Sequence, residues 1–461
     1  FEESKNAEYY ALFHEMGLGK SKVILDTIGH LYTENKIDAA LIIAPKGVYE
    51  NWYYDEIPTH LGIDEYFYGR YKAAPRKADR EEMEYMLKPS FKRELIVCCM
   101  NVEAFSHASG CAYAEKFLKA RRCIIVVDES TAIKTPKATR TKTLIKLSRF
   151  AKYRRILSGT PITQSPLDMY SQCEFLKTRA LGFPTWTAFK SYYAVMQQIR
   201  MGTRSFAQIT GFRNLDELER SIRPFSSRIK KTDCLDLPDK IYSVRYVEMT
   251  KAQEQAYNDL KQTALIQFDK GMVTTTSALT TIVKLQQILC GHCKDDTGLV
   301  HDIESNRIQT VVDIANEVDG KIIIFCNFRR DVELLVKKLN EEFGAGSAVD
   351  YYGETKQDQR RDNIQSFRNT TQCRFFVSSS AGSKGITLVE AATVVYYSNS
   401  YNLETRLQSE DRAHRIGQKE PVNYIDLIIP DSIDMKIVHA LRQKKNLADS
   451  VMDALRDECY G

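Results

Sequence analysis

Eight short apolar runs, each followed by a longer stretch of helical spacing, constrain this chain more than any other feature. The first four are LIIA (41–44), LIVCC (95–99), IIVV (124–127) and RRIL (154–157); the second four are KIIIFC (321–326), RFFVSS (374–379), TVVYY (393–397) and NYIDLI (423–428). Near-continuous apolar strands belong to sheets covered on both faces, and alternation with helices points to parallel α/β units, not a sandwich. The grouping predicts two such lobes, residues 1–237 and 238–461. Residues 165–235 and about 250–318 lack these runs and show helix-like spacing, as in Leu260, Ala264, Leu265 and Phe268. They are read as one helical insertion in each lobe. Between them, IYSVRYV (241–247) alternates like a strand beyond Pro238, which breaks any helix, so the lobe boundary is placed near Leu237.

Composition excludes several classes. With 461 residues, 27% charged and 43% hydrophobic, the chain is long enough for several packed domains and is not biased toward disorder. No apolar run approaches the ~18 residues of a membrane span, and the opening FEESKNAEYY is too polar for a signal peptide. The eleven Cys are scattered, which fits free thiols in a reducing compartment. The pair Cys290-Gly-His-Cys293 lacks a second ligand pair for zinc and follows a helix-like segment instead of a strand, so its thiols are read as structural. The net charge of +5 is unevenly spread: Thr131 to Thr160 holds nine basic residues and no acidic one. Such a stretch fits a polyanion partner held by charge; a solvated helix face is the alternative.

Three segments carry chemistry. GLGKS (17–21) precedes the helix-period segment VILDTIGHLY. Gly17 and Gly19 let backbone N–H groups around Leu18 turn toward a polyphosphate, Lys20 can reach its terminal phosphates, and Ser21 can ligate Mg²⁺. In IIVVDES (124–130) a buried strand ejects Asp128 toward a Mg²⁺-bound water and Glu129 toward an attacking water. By itself that is also an ordinary acidic turn; joined to the loop it reads as an ATP site. QSEDRAHRIGQ (408–418) places Arg412 and Arg415 three apart, on one face if helical. An arginine reaching the γ-phosphate is what phosphoryl transfer calls for. The alternative is a surface helix salt-bridged through Glu410 and Asp411.

Taken in order, GLGKS, APKGVYENW, DEST, LSGTPITQSP, IIIFCNF, SSSAGSKGITL and QSEDRAHRIGQ resemble the helicase superfamily 2 motor, specifically its Swi2/Snf2 branch. The likeness runs from about Glu15 to Lys445, and RAHRIGQ is its most specific element. YGETKQDQRRDNIQSF, KLQQILCGHC and the connector RIKKTDCLDLPDK add to it. The resemblance implies two RecA-like parallel-sheet lobes and a DNA-stimulated ATPase. It gives Gly17, Leu18, Gly19, Lys20, Ser21, Gly385 and Gln408 to ATP, Ser21 and Asp128 to Mg²⁺, and Glu129, Arg412 and Arg415 to catalysis. Lys46, Asn51, Trp52, Lys137, Arg140, Ser379, Ser380 and Lys384 are expected toward nucleic acid; Trp52 and its neighbours, Ser158 to Pro161, and Ser379 to Gly385 would lie toward the DNA or link it to ATP.

Three departures stand out. Thr131 occupies a position usually held by His, Ser383 and Lys384 replace a common Gly-Leu, and no adenine-reading Gln motif is recognisable before Glu15. With no bromodomain, chromodomain or zinc module in the sequence, a compact viral, phage or bacterial motor is expected instead of a chromatin machine. The expected activity is ATP-driven movement on duplex or branched DNA, with ATP hydrolysed between the lobes, for branch migration, fork remodelling or limited unwinding. Rival readings are a DNA-binding scaffold with a degenerate ATPase and an RNA-acting helicase. Expected partners are DNA and accessory replication or recombination proteins, with no membrane. The expected location is the cytoplasm of a bacterial or phage-infected cell, or the nucleus of a eukaryote.

Overall fold

The computed structural model describes residues 1–46, 48–88, 93–201, 204–269, 275–295, 297–379 and 386–453. The chain divides into two compact units, Phe1–Cys234 with Lys444–Gly461, and Leu235–Gln443.

The first unit is built on a seven-stranded sheet. Its strands are β1 (Tyr9–His14), β2 (Ala39–Ala44), β3 (Tyr66–Arg70), β4 (Leu95–Asn101), β5 (Cys123–Val127) and β6 (Tyr153–Leu157), with β9 (Ser226–Ile229) returning after an intervening β-hairpin. They run in the order β3-β4-β2-β5-β6-β1-β9, every neighbouring pair parallel. Every residue of β2 (AALIIA) and β5 (CIIVV) is buried, as continuous apolar runs require. Each fully buried Val, Leu or Ile contributes roughly 1.5–3 kcal/mol, so these central strands anchor the unit. Arg155 of β6 is buried too. Its guanidinium donates to the carbonyls of Ser4, Ala7 and Arg154, tying the N-terminal turns to the sheet, and burial pushes its pKa down to about 10. Ala448 and Met452 pack into this unit's core, and these apolar contacts group the residues from Lys444 onward with it instead of with the second lobe.

The segment 165–235 departs from the helical expectation. Besides the helices Met169–Leu176, Trp186–Tyr193 and Leu215–Ile222 it contains the antiparallel hairpin β7 (Ala194–Met201) and β8 (Arg204–Phe212). AVMQQIRM and RSFAQITGF mix Gln, Arg, Ser and Thr with their apolar residues, so a search for continuous apolar runs passes over them.

The second unit holds a six-stranded sheet of β10 (Lys240–Tyr246), β13 (Lys321–Phe325), β14 (Ala348–Tyr351), β15 (Phe375–Ser378), β16 (Ala391–Tyr396) and β17 (Val422–Ile428). Its order is β10-β17-β16-β13-β15-β14, again parallel throughout. The helices Lys251–Asp269, Thr275–Cys290 and Arg307–Glu317 occupy the segment 250–318, together with a short antiparallel pair, β11 (His292–Lys294) and β12 (Val300–Asp302). Cys290 is buried and its thiol is pushed well above the usual range by desolvation, which suits a packing residue and not a redox thiolate. Two parallel sheets with covering helices are the two α/β lobes read from the apolar runs, in the RecA-like form that the resemblance implies.

One ion pair fixes the first turn of the last helix, which starts at Ile433, to this sheet. Arg307, fully buried, donates to the Asp434 carboxylate and to the Tyr397 carbonyl at the end of β16. Removing one member of a buried pair strands the other charge, a loss of about 3–5 kcal/mol. Asp434→Ala is therefore expected to lower the urea midpoint of the second unit strongly, with partial recovery in Asp434→Leu/Arg307→Met. A loss below about 1 kcal/mol would show that this pair does not hold the helix.

Candidate active site

The loop Glu15–Gly19 leaves β1 and opens directly into the helix Lys20–Thr33. Gly17 and Gly19 have φ of 82° and 71°, the left-handed region that a side chain resists, and a Cβ on Gly19 would meet nothing. The backbone conformation, not crowding, is what calls for glycine there. Gly19 caps the helix without any side-chain bond, leaving the positive N-terminal end of the helix facing outward. Leu18 and Ser21 are half-buried beside it. Lys20 arches over the loop, its Nζ donating to the carbonyls of His14 (2.7 Å) and Glu15 (3.1 Å). His14 is buried; desolvation and the neighbouring Lys20 lower its pKa to about 4, so the imidazole is neutral under the loop.

Asp128 follows β5 at the same end of the sheet, 8% exposed. Each carboxylate oxygen has one protein donor: the Trp52 indole Nε1 at 2.9 Å on Oδ2, and the Glu129 backbone N–H at 2.9 Å on Oδ1. Burial raises its pKa, while the bond from Trp52 and the charge of Lys20 pull the other way. Glu129 adopts φ 47°, an uncommon conformation for a non-glycine residue and one found at functional turns. Glu56 sits beside both Ser21 and Asp128, its pKa raised mainly by burial.

A hydrogen-bonded web backs this turn. Ser130 donates to the Gln172 side chain (2.6 Å), whose amide donates to the carbonyls of Pro161 and Asp168. Asp168 accepts from the backbone N–H groups of Thr163 and Gln164, and Lys134 reaches the Thr163 hydroxyl. Pro161 is thereby tied through Gln172 to Ser130 of the acidic turn, and a Cβ on Gly159 would lie 3.3 Å from the Met16 backbone N. The hydroxyls of Thr131 and Thr160 are buried without a hydrogen-bond partner. An uncapped helix end, one lysine, one hydroxyl and an acidic turn fit a magnesium–polyphosphate group. Mg²⁺ usually takes one or two carboxylates plus phosphates, and among the described residues no cage of three or more His, Cys, Asp or Glu exists.

The second unit alters three expectations. Arg412 is 5% exposed, and its guanidinium donates to the carbonyls of Gln408 and Ile386 at 2.8 Å each. It braces the strand connection at 386–388 against the helix Leu403–Ala413 in place of reaching outward, because a buried guanidinium must satisfy its donors. Gln408 is 1% exposed; its amide donates to Glu404, and its Oε1 is buried without a hydrogen-bond partner among the described residues. The helix ends at Ala413, so Arg415 does not share its face with Arg412; half-buried, it donates to the Thr387 hydroxyl. Nor is this a surface helix. Glu410 is 3% exposed and accepts from Lys240, Tyr242 and Arg406. Ser379 is described, half-buried, at the end of β15; Ser380, Lys384 and Gly385 lie outside the described residues.

Trp52 is placed away from a direct nucleic-acid contact: it is 1% exposed and its indole donates to Asp128. Lys46 is exposed and Asn51 half-buried on the same segment. Of the basic stretch, Arg155 is interior and Arg154 bonds three backbone carbonyls, while Lys137, Lys142, Lys146, Arg149 and Lys152 are exposed and Arg140 is half-buried. Sequence reasoning passed over Glu56 and Gln172. The spacing of four residues between Trp52 and Glu56, one helical turn, was a signal for the first; nothing local marks the second.

Among the described residues no helix is long and apolar enough to cross a membrane. Comparison with known proteins agrees with the motif order. A Mycoplasma pneumoniae protein named "Uncharacterized ATP-dependent helicase" is 24% identical over 453 residues, covering 96% of this chain and 40% of the relative. The Danio rerio "Chromodomain-helicase-DNA-binding protein 1-like" is 24% identical over 469 residues, covering 97% of this chain and 42% of the relative. The chain thus spans about two fifths of the length of these relatives. A solved structure, "Sulfolobus solfataricus SWI2/SNF2 ATPase core in complex with dsDNA", aligns with 26% identity and a TM-score of 0.40, covering 96% of this chain and 88% of that one. The SNF2-related domain matches residues 3–294 and the helicase conserved C-terminal domain residues 306–417. With the greater part of its length inside the first of these, the chain belongs to the SNF2-related family, the Swi2/Snf2 branch of helicase superfamily 2.

Proposed function

We propose that this chain is the ATP-driven motor core of a translocase acting on duplex or branched DNA, with Mg²⁺ and ATP as cofactors. The observation that carries the reading is the Asp128 carboxylate, held at the end of β5 in the same first-unit site as the Gly17–Ser21 loop, Lys20 and Ser21. In this reading the loop and helix end bind the phosphates, Lys20 swings from its carbonyl partners to the terminal phosphates, and Ser21 and Asp128 hold the magnesium shell. Glu129 orients the attacking water, and Arg415 supplies positive charge for turnover. Magnesium neutralises phosphate charge when bound, and the protein's part is mainly positioning. The exposed Lys137 and Lys142, with Arg140, form part of a track for the phosphate backbone. Branch migration or fork remodelling is the proposed use, in the cytoplasm or, in a eukaryote, the nucleus.

DNA-stimulated ATP turnover is the deciding assay, run with duplex, forked and four-way DNA, single strands and RNA. Stimulation by duplex or branched DNA supports the reading. Stimulation by RNA alone would give an RNA-acting helicase, and DNA binding without turnover a scaffold indifferent to Lys20→Ala. Glu129→Gln is expected to keep nucleotide binding and lose turnover by roughly 10²–10⁴-fold, as loss of water positioning should. Ordinary turnover in that variant would remove Glu129 from its role.

Neutralising Lys137, Arg140 and Lys142 together should weaken DNA binding uniformly across sequences. The slope of log affinity against log salt should flatten by about 0.9 for each phosphate that is no longer neutralised. An unchanged slope would return these residues to an ordinary solvated face.

A further inference from the structure

Resting on the ATPase reading above, we propose that Trp52 is the positioning residue for the Asp128 carboxylate, and that through its indole the segment Val48–Asn51 sets how that carboxylate is aimed.

The local backbone is built around this one contact. Residues Trp52–Glu56 form a π-helical turn between the helical pieces Tyr49–Asn51 and Ile57–His60, and the wide turn closes with the Ile57 N–H donating to the Trp52 carbonyl. Such turns hold one residue more than an α-turn, are rare, and occur mostly at functional sites. Here the extra residue keeps Trp52 (1% exposed) and Ile57 (0%) both inward, and leaves Glu56 beside Ser21 and Asp128. The outward residues of the same turn are fixed separately: the Arg70 guanidinium lies over the rings of Tyr53 (4.7 Å) and Tyr54 (5.0 Å). The turn is clamped from outside and presents a single donor inside.

That donor matters because of what Asp128 otherwise has. Among the described residues, one oxygen accepts from its neighbour's backbone N–H and the other from the indole, across the fold, at 2.9 Å. Thr131, buried three residues on, has a hydroxyl with no hydrogen-bond partner and does not orient the carboxylate. The indole donates and cannot accept, so it keeps the ionised carboxylate as an acceptor and fixes its plane, leaving the remaining lone pairs to the magnesium shell. Trp52 directly follows the helical piece Tyr49–Asn51, so a displacement of Val48–Asn51 reaches the carboxylate through one rigid side chain.

Two measurements test this on the full chain. Trp52→Phe keeps an aromatic ring in place and deletes the donor. Mn²⁺ binding, followed by electron paramagnetic resonance in the presence of a non-hydrolysable ATP analogue, is expected to weaken about tenfold, with analogue binding in EDTA unchanged within about twofold. A merely packing role would leave the metal dependence unmoved. The second reading does not need that variant to fold. The chain has two Trp, so Trp186→Phe leaves Trp52 as the sole tryptophan fluorophore. Its emission should shift when Mg²⁺ is added to the analogue complex, and again when duplex DNA is added. Intact metal-dependent binding of the analogue, with neither a metal effect in Trp52→Phe nor an emission change, would overturn this inference alone. Absence of any metal-dependent analogue binding by the wild-type chain would overturn the ATPase reading with it.

Discussion

Everything at the candidate site depends on keeping a carboxylate ionised at the edge of an apolar core. Asp128 emerges from five consecutive buried residues, and burial works against its charge. The chain offsets part of that cost with two directed donors, the Trp52 indole and the Glu129 N–H, and with the nearby charge of Lys20, while the net shift stays upward. Each compensating group comes from a different part of the sequence: the helix after β1, the π-turn after β2, and the turn after β5. The parallel order of β1, β2, β5 and β6 brings those strand ends together, so sheet topology and electrostatics solve one problem jointly.

Ion pairing inside the second unit serves rigidity. Arg406 bonds Asp426 and Glu410 and stacks over Tyr396 with its guanidinium 3.5 Å from the ring centroid; Glu410 in turn holds Lys240 and Tyr242 of β10. Together with Arg412 on the Ile386 carbonyl and His414 on that of Pro238 (2.7 Å), this makes the segment 403–418 a tightly braced block. The motif richest in arginine is therefore largely spent on holding its own lobe together.

The sequence made the two lobes legible because buried parallel strands are written largely as apolar runs, as in β2, β4 and β5; β6 is interrupted by Arg154 and Arg155. Hairpin β7–β8 escaped for the opposite reason, its strands mixing polar with apolar residues. At the site, residue types that need a special backbone or a special charge were visible: Gly17 and Gly19 by their left-handed φ, and Lys20, Asp128 and Glu129 by motif spacing. Trp52 was visible as a residue but not in its role. The resemblance put it toward the DNA or on the link from DNA to ATP, whereas only the three-dimensional turn shows the indole inward on Asp128. Arg412 failed likewise, since spacing reports which residues share a face and not whether that face is buried.

The most direct test locates the ligand. Hydrogen–deuterium exchange of the full chain, with and without a magnesium–ATP analogue, reads every segment at once. Added protection concentrated at residues 15–23 and 124–131 is the predicted result, since the loop, the helix end and the acidic turn would close on one phosphate group. Binding of the analogue with those two segments unchanged would contradict the account.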